Sequence, residues 1–443
     1  MNRPLGHKNS IGKTVRKDKN PGLKPSLPPG FPFRARRFPV RSSMDLVLAR
    51  TVGLLVVAIL VAIVARRLRL PYAVGLVIAG MTLAFSRVNF GIRLTHDIVF
   101  DLILPPLLFE AALNLDWREL RRDALPILVM SVLGVLISAA VVVLGLHALL
   151  NWALAPALIF GVLIAATDPV TVIALFKDLG IKGRGRLLVE SESLFNDGVA
   201  AVLFSLALAW TAHRFAGPGQ VALDVILLAG GGIAIGVTVG VLALLVAGRT
   251  GDHLVEIAVT VAAAYGAFLI AENLHCSGVL ATVTAGLFIG AVGLRTGNQR
   301  FGISHQGREF ALEFWEFLAF IANSLVFLLI GLAVSHLRFA SLGYVPVLVM
   351  IALVLLGRAA TVYPIALLFH STRYEITSRE QHLLWWGGLR GALALALALS
   401  LPEQMAMRDA IVIVTFGVVT FSIVVQGLTM PSLIRALGFR APA

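Results

Sequence analysis

The chain has 443 residues, of which 58% are hydrophobic and 14% charged, with a mean hydropathy of +0.89. Soluble domains are about 45–50% apolar and about 25% charged, so this composition excludes an ordinary globular protein and predicts a polytopic membrane protein. The net charge of +13 does not argue for a nucleic-acid partner, because most basic residues lie in short loops or in the first 43 residues and read as topology signals. The single cysteine, Cys276, excludes an internal disulfide and a thiolate metal cluster.

Residues 1–43 hold about eleven Lys and Arg, several prolines and almost no apolar run, a composition that predicts disorder. No short apolar stretch with a cleavage site makes them a secretory signal. Apolar windows of helical length follow at roughly 46–65, 71–86, 98–115, 124–148, 153–177, 187–211, 221–247, 254–272, 276–293, 310–334, 344–369, 382–401 and 409–432. Transmembrane strands would be about ten residues long with alternating polarity, a pattern missing here. The expected fold class is an all-α polytopic membrane protein with about 13 transmembrane helices. The membrane domain is expected over 44–437, followed by a short cytoplasmic tail at 438–443.

In chain order, the second span is short and relies on Gly75 and Gly80 for close packing. The third carries Glu110 after Pro105 and Pro106, a residue that reads equally as an acidic ligand or as a structural hydrogen-bonding group. Asp116, beside Trp117 and a basic loop, reads as interfacial. The fifth span is interrupted by Thr167-Asp168-Pro169. Pro169 lacks an N–H and disfavours α geometry at Asp168, so the helix should unwind there, freeing carbonyls and the Thr167 hydroxyl as oxygen donors for a hard monovalent cation. A proline kink with a capping aspartate is the plainer alternative.

The sixth span is the sharper signal. In Glu192-Ser193-Leu194-Phe195-Asn196-Asp197, helical spacing puts Ser193, Asn196, Asp197 and Glu192 on one stripe, with Leu194 and Phe195 facing elsewhere. A carboxylate at mid-bilayer depth costs roughly 2.5–3.5 kcal/mol on insertion scales, so Asp168 and Asp197 mark an ion or proton pathway. Asp197, deepest in the apolar run, is the expected carrier. Asn196 is expected to orient rather than bind, and Glu190 to be interfacial.

Later spans add fewer candidates. His275 and Cys276 adjoin at a loop without the further ligands a metal site needs. Glu309, Glu313 and Glu316 share a face entering the tenth span, either as a solvated helix end or as an ion funnel. Arg358 and Arg390 lie too deep in their spans to snorkel. Each needs a carboxylate or the negative end of a helix. Glu192 is the expected partner of Arg358, and Arg390 is expected to neutralise helix-dipole ends. The twelfth span breaks at Gly387-Gly388-Leu389-Arg390-Gly391, matching the break in the fifth, and such paired interruptions point to discontinuous helices crossing at a transporter's midplane.

Loop charge sets orientation. About eighteen Lys and Arg follow odd-numbered spans or lie in the C-terminal tail, against about five after even-numbered ones, so the odd loops and the C-terminus are expected in the cytoplasm and the N-terminus outside. The basic residues of 1–43 conflict with translocation. Three readings remain open: translation begins at Met44, the extension crosses regardless, or one span is miscounted.

The motifs ATDPV, ESLFNDG, GRAATVYP and GGLRGALALAL, in that order over roughly residues 46–435, resemble the sodium/proton exchanger family. The nearer branch is similar to the bacterial NhaP-type and animal NHE-type antiporters. The resemblance implies a cell-membrane monovalent cation/proton antiporter with no cofactor, an inverted-repeat fold whose crossing helices are spans 5 and 12, and a homodimer. It implies a cation site of Thr167, Asp168, Ser193, Asn196 and Asp197, with Glu110 where related proteins place an acidic residue, and a Glu192 bridge to Arg358. The Asn-Asp pair is similar to the electroneutral branch. The basic N-terminal extension and the lack of a long regulatory tail depart from the pattern.

The leading expectation is Na+/H+ exchange by competition: Asp197 holds H+ or Na+, and the empty charged site cannot cross. Whether the cation is Na+, K+ or Li+ depends on cavity size and ligand number, which spacing does not give. A cation channel and an intramembrane aspartyl hydrolase using Asp168 and Asp197 are the other classes. Broken helices and the Glu192/Arg358 pair favour a carrier over a channel, and the adjoining hydroxyl and amide oxygens favour cation coordination over hydrolysis.

Overall fold

The computed structural model describes residues 43–68, 70–85, 94–178, 180–181, 183–212, 217–294, 302–337 and 343–439. The N-terminal extension before Ser43 lies outside the described residues, as do the loop residues Arg69, Arg87, Arg93, Lys182, Arg214, Arg295, Arg300, Arg338 and Arg440.

The described chain is helical. In order the helices are α1 (Ser43–Leu68), α2 (Tyr72–Phe85), α3 (Leu104–Asn114), α4 (Trp117–Arg122), α5 (Ala124–Leu150) and α6 (Leu154–Leu163). Then come α7 (Val170–Asp178), α8 (Arg184–Thr211), α9 (Pro218–Val225), α10 (Gly231–Ala247), α11 (His253–Asn273) and α12 (Gly278–Phe288). The last six are α13 (His305–His336), α14 (Tyr344–Leu368), α15 (Ser378–Gly387), α16 (Ala392–Leu399), α17 (Arg408–Phe421) and α18 (Gly427–Ala436). Helix thus covers every window read from the sequence. Among the described residues, eight helices are long and apolar enough to cross a membrane, and Val52–Ala65, Tyr72–Ala84, Leu154–Leu163 and Gly278–Gly293 are shorter apolar helices.

Single π-helical segments, unseen in the sequence, lead into α3 (Ile98–Ile103), join α9 to α10 (Ile226–Gly230), extend α12 (Ile289–Gly293) and join α17 to α18 (Ser422–Gln426). Most of the long helices are apolar around their whole circumference, so close approach of backbones contributes to how they pack. Gly75 meets Val61 and Ala65 of α1, whereas Gly80 of α2 lies against Gly331 of α13, where an added Cβ would reach the opposing Cα at 2.9 Å. Gly232, Gly236 and Gly240 form a stripe on α10 that faces Ser277, Ala281 and Phe288. At the start of α13, the buried Glu256 carboxylate of α11 accepts hydrogen bonds from the Ser304 amide and hydroxyl, so a negative charge meets the positive end of the helix.

Both interruptions occur where the composition places them. α6 stops at Leu163 and α7 begins at Val170; α15 stops at Gly387 and α16 begins at Ala392. The two gaps touch, since the Asp168 amide donates to the Leu389 carbonyl at 2.7 Å. α16 is buried along its whole length within the main apolar core, beside Phe204, Ile411 and Val414.

Gly331→Val should lower the thermal unfolding midpoint of detergent-purified protein, with an overpacking cost of about 1–3 kcal/mol. Gly266→Ala, where an added Cβ meets nothing within 4 Å, should be neutral or slightly stabilising. Equal midpoints for the two variants would contradict this packing.

Candidate functional site

The fifth-span break is built by Pro169 and sealed by Asp168. Proline at 169 leaves α7 to start at Val170, and the Asp168 carboxylate accepts from the Val170 amide at 2.9 Å, capping that helix. The same carboxylate accepts from the Ala392 amide, the first residue of α16. One side chain therefore meets the positive ends of two half-helices.

Arg390 does the reverse. Its Nη1 donates to the Ala165 and Ala166 carbonyls at 2.7 and 3.0 Å, the unsatisfied negative end of α6. Two glycines in the second break make room for these charges: a Cβ at Gly391 would collide with the Asp168 carboxylate, and one at Gly388 would lie 2.6 Å from Arg358 Nε.

Glu192 of α8 and Arg358 of α14 form a buried bidentate pair, with Nη1 to Oε1 at 2.7 Å and Nη2 to Oε2 at 2.8 Å. Arg358 also donates twice to the Leu384 carbonyl in the last turn of α15. One turn along α8, the Asn196 amide group is fully engaged: its Nδ2 donates to Thr167 Oγ1 at 2.6 Å and to Glu192 Oε1 at 3.2 Å, and its Oδ1 accepts from the Thr167 amide at 3.1 Å. Ser193 and Thr167 share a hydroxyl–hydroxyl bond at 2.9 Å. These contacts tie α8 to the unwound strand of the fifth span and occupy Asn196 as an orienting group.

Asp197 differs from its neighbours. Its residue is 8% exposed, and its Oδ1 is buried with no hydrogen-bond partner. The charged groups around it are Asp168, Glu192 and Arg390. It lines a cavity of about 1070 Å³ that also touches Thr167, Asp168, Glu110, Glu190 and Leu194. Lys177, Arg186, Glu316 and Arg435 line the same cavity, and all four belong to the side of the odd-numbered loops. Lys177 bridges to Glu316 at 3.0 Å, and Arg186 to Glu190 at 3.3 Å.

Thr167, Asp168, Ser193, Asn196, Asp197, Glu192, Arg358 and Arg390 therefore converge. Three expectations need correction. Glu190 is buried in the cavity wall rather than interfacial, with Arg186 Nε donating to its carboxylate. Leu194 lines the cavity instead of facing away. Glu110 lines it too, but its Oε1 accepts from Asn114 Nδ2 at 2.8 Å, a bond within α3 rather than to the α8 stripe. Glu309, Glu313 and Glu316 are all exposed, and of that acidic face Glu316 alone lines the cavity. Asp116 caps α4. Among the described residues no cluster of His, Cys, Asp and Glu suits a metal ion, His275 and Cys276 included.

The family model for the transmembrane sodium/hydrogen exchanger matches residues 54–436. The chain belongs to this family. A Na(+)/H(+) antiporter of Aphanothece halophytica, ApNhaP, is 40% identical over 84% of the chain and 70% of its own length. The Na(+)/H(+) antiporter NhaH of Halobacillus aidingensis is 35% identical over 87% of the chain and 96% of its own length. In fold, this family member is similar to the sodium proton antiporter MjNhaP1 from Methanocaldococcus jannaschii, with a TM-score of 0.72, 20% identity, and coverage of 89% of this chain and 99% of that one. Family and helices together make it a multi-pass membrane protein.

Removing one partner of a buried pair leaves an uncompensated charge, typically about 3–5 kcal/mol. Glu192→Gln should therefore sharply lower the unfolding midpoint, and Glu192→Leu combined with Arg358→Met should recover most of it. A single variant as stable as the parent would show that the pair carries no such burden.

Proposed function

We propose that the chain is a monovalent cation/proton antiporter, exchanging Na+ for H+ by alternating access with Asp197 as the shared carrier. The observation that carries this is the Asp197 carboxylate, whose Oδ1 is buried without a hydrogen-bond partner in the wall of a cavity where Asp168 accepts from two helix amides and Glu190 pairs with Arg186. A proton or a Na+ ion neutralises it, and either guest removes the cost of moving a bare charge through apolar surroundings. With neither bound the site is held back, which couples the two fluxes. Thr167, Ser193 and Asp168 supply further oxygen atoms for the cation, Asn196 orients them, and Glu110 with Glu190 draws cations along the cavity. The choice of Na+ over K+ or Li+ rests on the names of the relatives at 35–40% identity.

The broken helices support a carrier over a channel. Asp168 and Arg390 tie the two gaps together by opposite charges, so the four half-helices can shift as a unit. In this reading thirteen spans cross the cell membrane as inverted repeats, with spans 5 and 12 crossing near its midplane. The C-terminus is cytoplasmic, the N-terminus is outside, and a second copy completes a homodimer in the bilayer. The cavity lies on the side of the basic loops and faces the cytoplasm. Equal charge moving each way makes the cycle electroneutral, insensitive to a potential worth about 2.3 kcal/mol per charge per 100 mV.

In proteoliposomes, Asp197→Asn should abolish Na+-driven proton movement, read by dequenching of a pH-sensitive dye, while the unfolding midpoint and gel-filtration profile stay near those of the parent. Parallel pulses of K+ and Li+ rank the cations. Normal exchange by the variant would refute the carrier role; a response to K+ but not Na+ would replace the substrate.

A further inference from the structure

Ser422 and Gln426 lie four residues apart in the π-helical turn between α17 and α18, in a run otherwise composed of Ile, Val and Gly. Both are buried, at 1% and 3% exposure. Neither lines the cavity. Their partners explain their presence. Gln426 Nε2 donates to the Trp386 carbonyl at 3.1 Å, and Ser422 Oγ donates to Gln426 Oε1 at 2.5 Å while accepting from the Arg390 amide at 2.9 Å. The chain of bonds spans the gap between α15 and α16, joining a carbonyl left open where α15 ends to an amide left open before α16 starts.

An α-helix would twist these two side chains relative to the gap, whereas a π turn widens the backbone and is favoured where a site needs a local change of register. Backbone groups freed by a break at membrane depth must find side-chain partners, and here one helix supplies both. The residue held by this bridge is Arg390, whose guanidinium fixes the Ala165 and Ala166 carbonyls immediately before Thr167. We propose that Ser422 and Gln426 are positioning residues for the cation site, acting through the Arg390 backbone to hold the unwound segment of the fifth span in its binding geometry. This inference rests on the Na+/H+ reading of the site.

The test is Na+-driven proton flux in proteoliposomes for Ser422→Ala, Ser422→Thr and Gln426→Leu, each normalised to reconstituted protein. Groups that orient ligands typically change affinity by roughly tenfold or more when removed. Ser422→Ala and Gln426→Leu should raise the apparent KM for Na+ by about that factor with Vmax changed less, and Ser422→Thr, which keeps the hydroxyl, should restore the parental KM. A purely structural role would lower yield and unfolding midpoint but leave the KM of the surviving protein unchanged, which overturns the proposal, as does a Ser422→Thr variant as impaired as Ser422→Ala. Ser422→Ala removes a single oxygen, so it carries the test if Gln426→Leu does not fold. Absence of Na+-driven flux in the parent protein itself would sink the exchange reading instead, so the two failures are distinguishable.

Discussion

Charge taken out of water has to be matched, and the centre of this molecule is organised by that requirement. Glu192 is matched by Arg358, Asp168 by the amides opening α7 and α16, and Arg390 by the carbonyls closing α6. Each match uses a group that a broken or tightly packed helix makes available. Asp197 sits among these charges with an unbonded oxygen, and Arg390 keeps an unbonded Nε. In the proposed mechanism a mobile cation supplies what the protein withholds, and that selective incompleteness is what makes the site a carrier.

The helix breaks and the charges depend on one another. Without Pro169 and the glycines at 388 and 391 there would be no free amides or carbonyls at this depth and no room for Arg358 or Asp168. Without Asp168 and Arg390 the four open helix ends would face apolar surroundings unsatisfied. The halves beyond the breaks differ in character. Both line the cavity, but α16 does so through Ala392, Leu393 and Ala394 before residues 395–398 enter the aliphatic core, whereas α7 ends in Lys177, which lines the cavity and bridges to Glu316 of α13. That asymmetry fits access from the side of the basic loops in this conformation.

Much of this was legible in the sequence because the bilayer makes polar residues conspicuous. Asp168, Asp197, Arg358 and Arg390 stand out inside apolar runs, and Pro169 beside Asp168 and the glycines around Arg390 forecast the two breaks. The Glu192–Arg358 pair followed from the cost of leaving either alone. What escaped notice did so for physical reasons. Glu190 sits near a basic loop in sequence, yet it lines the cavity, a placement that depends on which distant helices pack around α8. That the Asp168 carboxylate also accepts from the Ala392 amide was not legible, because that contact needs the spatial meeting of distant segments. The π turns leave no trace in apolar periodicity, and Ser422 with Gln426 looks unremarkable until Arg390 and Trp386 are seen between them. A serine and a glutamine at i, i+4 spacing in a long apolar run was the available clue.

The central claim is that one carboxylate exchanges one guest for another, and it is tested most directly by counting protons during cation binding. Isothermal titration of the detergent-solubilised protein with NaCl, in two buffers of different ionisation enthalpy, gives the number of protons released per Na+ bound. Competition at Asp197 predicts a release approaching one proton per ion when the site begins protonated, falling away as rising pH empties it beforehand. Na+ binding with no proton release at any pH would contradict the account, because the two ions would then occupy the protein independently.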